Sequence, residues 1–336
     1  MKVLGIECTA HTLSIGIVED GKALSNVIDT YSGGDEGLIP RKMADHHSTV
    51  FSKVLSDSLA SAKTKIEEID LIAFSQGPGI GAPLSVGIAA AKYLALTNSK
   101  PLIGVNHCFA HAKISEHLTG MKKPLVLYLS GGNSQILLED DAGHYHVLGE
   151  TLDVGIGNLF DSFARAIKME HAHGSALAKL AEGGKYIPLP YTVKGMNLVF
   201  SGLLTAAEKA ARSSANSKRD VAYSLMETAF AMTCEVAERA LFLTKKRQLL
   251  VCGGVAQNRR LQGMLKQMCE EDGFSFGVAP DEFNRDNGAM IAYAGSLLHK
   301  RYGPTPAEKC VPITNYRIDR MKDVLSERSS AAHSLL

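Results

Sequence analysis

Val3-Leu4-Gly5-Ile6, the small polar turn Cys8-Thr9-Ala10-His11-Thr12, and Leu13-Ser14-Ile15-Gly16-Ile17-Val18 open the chain. The two apolar runs read as buried strands, and Glu19-Asp20-Gly21 supplies a hairpin turn into a third strand over residues 23–28. The pattern returns from Pro124: strand Leu125-Val126-Leu127-Tyr128-Leu129, turn Ser130-Gly131-Gly132-Asn133, strand 134–138, turn Asp140-Asp141-Ala142-Gly143, strand 145–148. Each copy continues into alternating helices and strands, the first with strands at 69–75 and 102–105, the second at 248–252 and 274–278.

Two successive βββαβα units are the plan of the actin, sugar-kinase and Hsp70 class, an α/β fold of two lobes in which a nucleotide lies in the cleft between them. The expected division is an N-terminal lobe of residues 1–122, with a helix at about 293–322 packing back on it, and a C-terminal lobe of 123–292. The stretch 323–336, rich in Ser and Ala, reads as a tail or linker. In this plan the first hairpin of each lobe points its turn at the phosphates, because turns of Gly, Ser and Thr expose backbone N–H groups and short hydroxyls to an anion. Thr9 and Thr12 occupy the first turn, and Ser130, Gly131 and Gly132 the second. A third glycine-rich element, Cys252-Gly253-Gly254-Val255-Ala256-Gln257-Asn258, runs from a strand into a helix whose start Asn258 can cap, unless that asparagine serves a ligand. Neither G-x-G-x-x-G nor a Walker A lysine motif occurs, which disfavours Rossmann and P-loop readings.

Composition fits an ordinary globular protein: 336 residues, 45% hydrophobic and 21% charged, enough for two lobes and a large core. Six scattered cysteines show no C-x-x-C spacing, against a zinc ribbon or disulfide framework and in keeping with a reducing cytoplasm. No apolar run approaches the ~18 residues that span a bilayer, so a cytoplasmic protein without membrane contact is expected. A formal net charge of +1 neither suggests nor excludes RNA, whose docking patch would have to be local or supplied by other subunits.

Within Asn106-His107-Cys108-Phe109-Ala110-His111, two histidines four residues apart fall on one face of a helix. That spacing brings them within ~5–6 Å, close enough to share one metal ion. Taken alone, the pair is half a site.

The segments Gly5-Ile6-Glu7-Cys8-Thr9-Ala10-His11-Thr12, Gly77-Pro78-Gly79-Ile80-Gly81, Asn106-His107-Cys108-Phe109-Ala110-His111, Leu129-Ser130-Gly131-Gly132-Asn133-Ser134-Gln135, Phe200-Ser201-Gly202-Leu203-Leu204-Thr205, Gly253-Gly254-Val255-Ala256-Gln257-Asn258 and Asp286-Asn287-Gly288-Ala289-Met290 follow in order. Together they resemble the tRNA threonylcarbamoyladenosine transferase family, formerly labelled O-sialoglycoprotein endopeptidase or glycoprotease. The opening is similar to the archaeal and eukaryotic branch, whose members work in the KEOPS complex.

The resemblance implies a metal held by His107, His111, Tyr128 and Asp286, iron or zinc, with the tyrosine favouring iron. Read without it, Tyr128 is a packing residue and Asp286 a helix cap. It also implies an ATP- or AMP-type nucleotide or threonylcarbamoyl-AMP, possible magnesium, and contacts from Tyr128, Leu129, Ser130, Gly131, Gly132, Asp161, Gly174, Gly254 and Asn258. One departure stands at His171-Ala172-His173-Gly174-Ser175-Ala176-Leu177-Ala178, where Ala178 takes the place of a ribose-binding glutamate. Losing a charge-assisted hydrogen bond costs ~1.5–3 kcal/mol; His171 and His173 either compensate or are exposed loop residues.

The implied reaction is transfer of L-threonylcarbamoyl from threonylcarbamoyl-AMP to the exocyclic amine of the adenosine beside the anticodon in ANN-decoding tRNAs. His11, with Thr9 beside it, is the catalytic candidate, as proton acceptor from the amine. Implied partners are tRNA, a small dimerising KEOPS subunit on the outer helices of the first lobe (40–62 and 84–96), and a small kinase subunit on the second, fused C-terminally in some archaeal relatives. A metallopeptidase would want H-E-x-x-H, but Cys108, Phe109 and Ala110 separate the histidines here. A small-metabolite kinase or ATPase of the same fold would explain the turns but not the His-His-Tyr-Asp set, and the Ala178 departure leaves a non-catalytic tRNA-modification scaffold as the remaining alternative.

Overall fold

The structure, a computed structural model, describes residues 1–33 and 37–325. It divides into two compact units, the first made of Met1–Ile114 with the chain from Arg285 onward, the second of Ser115–Asn284.

In the first unit β1 (Lys2–Glu7), β2 (Thr12–Glu19), β3 (Lys22–Thr30), β4 (Leu71–Gly77) and β5 (Leu102–Asn106) form one sheet in the order β3-β2-β1-β4-β5. β1 runs antiparallel to β2 and parallel to β4. On one face lie α1 (Pro40–Ser61) and α2 (Gly81–Thr97), whose Val54, Ile88 and Ala91 join Leu4, Ile6, Leu13, Ile15 and Phe74 in a fully apolar core. β5 leads into α3 (His107–Thr119), which carries the chain across into the second unit at Ser115.

The second unit repeats the sheet. β6 (Leu125–Leu129), β7 (Ser134–Glu139) and β8 (Tyr145–Glu150) are followed by α4 (Ile156–Ala166), α5 (Gly174–Ala181), the two-residue strands β9 (Val193–Lys194) and β10 (Asn197–Leu198), α6 (Ser201–Arg212) and α7 (Lys218–Thr244). Then come β11 (Gln248–Cys252), α8 (Arg259–Glu271), β12 (Ser275–Val278) and α9 (Asp281–Asn284). The order β12-β11-β6-β7-β8 matches the first sheet strand for strand, with β6 antiparallel to β7 and parallel to β11. The duplicated α/β plan read from the two hairpins is therefore the observed one. α7 is buried along much of its length, with Leu225, Phe230, Val236 and Leu241 fully enclosed beside Leu127, Phe163 and Val251.

Helix α10 (Gly288–Tyr302) returns to the first unit and covers the remaining face of its sheet. Covered on both faces, β1 and β2 have no need for polar alternation, and their near-continuous apolar runs follow. The changes between units fall at Ile114/Ser115 and Asn284/Arg285 rather than at the expected lobe limits of 122 and 292, and the helix expected at about 293–322 is α10, which starts at Gly288 and ends at Tyr302. The chain remains packed to Leu325, which is buried, and residues 326–336 of the expected tail lie outside the described residues. Among the described residues no helix is long and apolar enough to cross a membrane, and all six cysteines are free.

Candidate metal centre and nucleotide-binding loops

Asn106 closes β5 and starts α3. Its buried side chain accepts a hydrogen bond from the Phe109 N–H at 3.0 Å, as a helix cap does, and donates to the Tyr316 carbonyl at 2.8 Å. The cap fixes where α3 begins, and therefore which face His107 and His111 present. Their rings meet edge to face, centroids 4.7 Å apart. Asp286, just ahead of α10, completes the cluster: its Oδ1 lies 3.4 Å from His107 Nε2 and 3.3 Å from His111 Nε2. One donor atom from each residue lies within 4.8 Å of the others, a span that one ion can bridge. Two imidazoles and a carboxylate are the nitrogen and oxygen donors that borderline transition metals take, so the residues fit the implied ion.

The helix-cap reading of Asp286 needs correction. Asn287 caps α10, accepting from the Met290 N–H at 2.9 Å, which leaves Asp286 to face the imidazoles.

A fourth residue, Glu7 at the end of β1, was not singled out from sequence. Its side chain is fully buried, and its Oε2 accepts a hydrogen bond from His107 Nδ1 at 3.0 Å. Burial pulls His107 down, but the carboxylates of Glu7 and Asp286 outweigh it and hold the imidazole well above the ordinary histidine range. Burial would raise Asp286, yet the charge and hydrogen bonds of the two histidines hold it well below the carboxylate range. His111, where burial dominates, is pushed down.

Thr9 and His11 lie in the turn between β1 and β2. Thr9 is buried, and both its N–H, at 2.8 Å, and its hydroxyl donate to Glu7 Oε1. His11 is half-buried, its carbonyl accepting from the Tyr31 N–H at 2.8 Å. The buried His47 of α1 donates to the neighbouring Ala10 carbonyl at 2.9 Å.

The remaining candidates belong to the second unit. Tyr128 is buried in β6, paired with Gln135 of β7 and Cys252 of β11. After Leu129 the Ser130–Asn133 turn closes on itself, Ser130 N–H to the Asn133 carbonyl at 2.8 Å, and the Gly131 carbonyl accepts from Asn158 of α4 at 3.0 Å. Gly131 and Gly132 are exposed, and among the described residues their N–H groups donate to no protein acceptor. Asp161 of α4 accepts from the Gly174 N–H at 2.8 Å and so joins α4 to the start of α5. Ala178 is half-buried against the core. His171 and His173 are exposed, and His173 caps α5 through the Ser175 N–H. Gly254 is exposed, and Asn258 caps α8 with an oxygen 3.1 Å from the Leu261 N–H. β6, its turn, α4 and the Gly254–Asn258 segment thus gather the proposed nucleotide contacts of one unit.

A profile of the tRNA N6-adenosine threonylcarbamoyltransferase family matches residues 22–293. A protein of that name from Thermococcus sibiricus is 48% identical over 96% of this chain and 99% of its own length, and one from Archaeoglobus fulgidus is 46% identical over 95% and 98%. A probable bifunctional tRNA threonylcarbamoyladenosine biosynthesis protein of Methanothermobacter thermautotrophicus is 44% identical over 99% of this chain but only 62% of its own. Among solved structures, T. kodakarensis HypF superposes with a TM-score of 0.63 at 14% identity, covering 89% of this chain and 48% of HypF. Component A of the (R)-2-hydroxyglutaryl-CoA dehydratase of Acidaminococcus fermentans does so at 0.57 and 14%, covering 90% and 100%. These two likenesses speak for the fold. The matches along nearly the whole sequence settle the family: the chain belongs to the tRNA N6-adenosine threonylcarbamoyltransferases.

Proposed function

We propose that this protein transfers the L-threonylcarbamoyl group of threonylcarbamoyl-AMP to the exocyclic amine of the adenosine beside the anticodon of ANN-decoding tRNAs, in the cytoplasm. The observation that carries this reading is the meeting of His107, His111 and Asp286, drawn from positions far apart in a chain 46–48% identical to transferases of that name. These three, with Tyr128, would hold one ion, iron or zinc. When bound, such an ion supplies Lewis acidity toward the carbamoyl carbonyl.

The protein's own groups supply the rest. The Gly131 and Gly132 N–H groups offer hydrogen bonds to the adenylate phosphate, with magnesium as a further counter-charge. Asp161, Gly174, Gly254 and Asn258 border the nucleoside side of that turn. The amine nitrogen bonds to the carbamoyl carbon while the bond from that carbon to the phosphate oxygen breaks, and AMP leaves. His11 takes the amine proton. Thr9, its hydroxyl donating to Glu7, supports the site from the turn.

A small dimerising subunit of KEOPS type would dock on the outer faces of α1 and α2, where Tyr93 and Leu96 of α2 stand 67% and 73% exposed. A kinase subunit would dock on the second unit. The bifunctional relatives, longer than this chain, are in keeping with such a partner.

The test is transfer by the purified protein with its partner subunits, synthetic threonylcarbamoyl-adenylate and an ANN-decoding tRNA. His107→Ala should fold and lose transfer; a folded His107→Ala as active as wild type would remove the metal centre from the mechanism.

A further inference from the structure

We infer that Glu7 is a positioning residue of the metal centre, setting His107 as a ligand from behind, and that the Thr9 turn is its clamp. The inference deepens the proposed reading of His107, His111 and Asp286 and rests on it. Glu7 and His107 are a hundred residues apart in sequence, and the buried carboxylate divides its two oxygens between separate tasks. Oε1 accepts the N–H and hydroxyl of Thr9, while Oε2 faces His107 Nδ1 at 3.0 Å.

An acceptor on Nδ1 requires that nitrogen to carry the hydrogen. The lone pair of the neutral ring then belongs to Nε2, the atom that faces Asp286. Rotating the carboxylate away from His107 would strand Oε1 as well, so the Thr9 contacts lock the orientation. Thr9 is held in turn: its carbonyl accepts from the Ile80 N–H at 2.8 Å, and a Cβ on Gly79 would sit 2.6 Å from the Thr9 oxygen. Only glycine allows that approach. The Gly77-Pro78-Gly79-Ile80-Gly81 stretch, which the proposed reaction leaves without a task, thereby becomes the rear support of a relay running from Ile80 through Thr9 and Glu7 to His107.

The experiment uses the full chain, first freed of metal, with Zn²⁺ as probe in a chelator competition; ¹⁵N-histidine NMR of the Zn²⁺-loaded protein, in which His107 is a neutral ligand, reports which ring nitrogen keeps its hydrogen. Glu7→Gln should weaken Zn²⁺ affinity by about 10- to 100-fold and remove the dominance of the Nδ1–H tautomer at His107. Thr9→Val, which keeps the shape of the side chain but not its hydroxyl, should shift both readouts the same way by less. A folded Glu7→Gln within about twofold of wild-type affinity and with its Nδ1–H tautomer intact would overturn the inference. Should Glu7→Gln not fold, Thr9→Val decides, and wild-type behaviour there overturns it equally. Failure of the wild type to bind Zn²⁺, or binding by His107→Ala as tight as wild type, would instead defeat the metal-centre reading itself.

Discussion

Gly288, the first residue of α10, lies backbone to backbone against Gly16 of β2: a Cβ on Gly288 would sit 2.2 Å from the Gly16 nitrogen, and one on Gly16 2.3 Å from the Ala289 nitrogen. The Gly288 N–H also donates to Ser14 Oγ at 2.9 Å. Asp286 precedes this contact by two residues, so the flush packing of α10 on the sheet is what presents its carboxylate to His107 and His111.

Gly288→Ala should therefore disturb the site as well as the core. A methyl group has no room beside backbone atoms, and overpacking of this kind costs about 1–3 kcal/mol. Thermal unfolding should occur at lower temperature, and Zn²⁺ affinity should fall in the protein that remains folded. Unchanged affinity would separate the metal centre from the packing of α10.

Adjacent residues should respond in opposite ways. Asp286→Asn removes an anionic donor and is expected to weaken Zn²⁺ binding by more than about tenfold. Asn287→Ala removes the α10 cap and should cost about 1 kcal/mol of stability while keeping all three donors. Calorimetric unfolding beside metal titration distinguishes the two, and a reversed pattern would return Asp286 to the role of cap.

Asp153 ties the 151–154 loop to the start of α6. Partial burial would raise its carboxyl, but hydrogen bonds from the Ser201 and Phe200 side of α6 and from the Val154 N–H hold it down at about 2. The folded value lies below the unfolded one of about 3.9, so its contribution to stability is complete above that pH and is lost as pH falls toward 2. Asp140, held at about 2 chiefly by the His144 N–H, titrates in the same window. The difference between wild type and Asp153→Asn isolates Asp153: the gap in unfolding free energy should be constant above about pH 5 and narrow between about pH 4 and 2. A gap that widens on acidification would contradict the assignment.

Ala178 stands half-buried on α5, at the position where the resemblance implies a ribose-binding glutamate. Ala178→Glu should tighten AMP binding by about tenfold or more, as one charge-assisted hydrogen bond to a ribose hydroxyl would. Isothermal titration reads this directly, and unaltered affinity would show that the nucleotide is posed away from α5.

The duplicated hairpins were legible because buried strands covered on both faces leave uninterrupted apolar runs, and both sets of strands formed where those runs stand. His107 and His111 were legible because helical spacing is local. Glu7 was not: a lone acid at the end of a strand gives no sign of its partner until the sheet and α3 bring them together across a hundred residues. Asp286 and Asn287 are neighbours with similar capping chemistry, and only the backbone path into α10 decides which of them caps. The limit between the units was equally hidden, because the break falls within the continuous helix α3.

The central claim is that His107, His111 and Asp286 form a single ion site. Its most direct test is the metal content, by plasma mass spectrometry, of wild type and His107→Ala/His111→Ala after equilibration with Zn²⁺ and gel filtration. The account expects about one ion per chain in the wild type and almost none in the double variant; equal content in two folded proteins would contradict it.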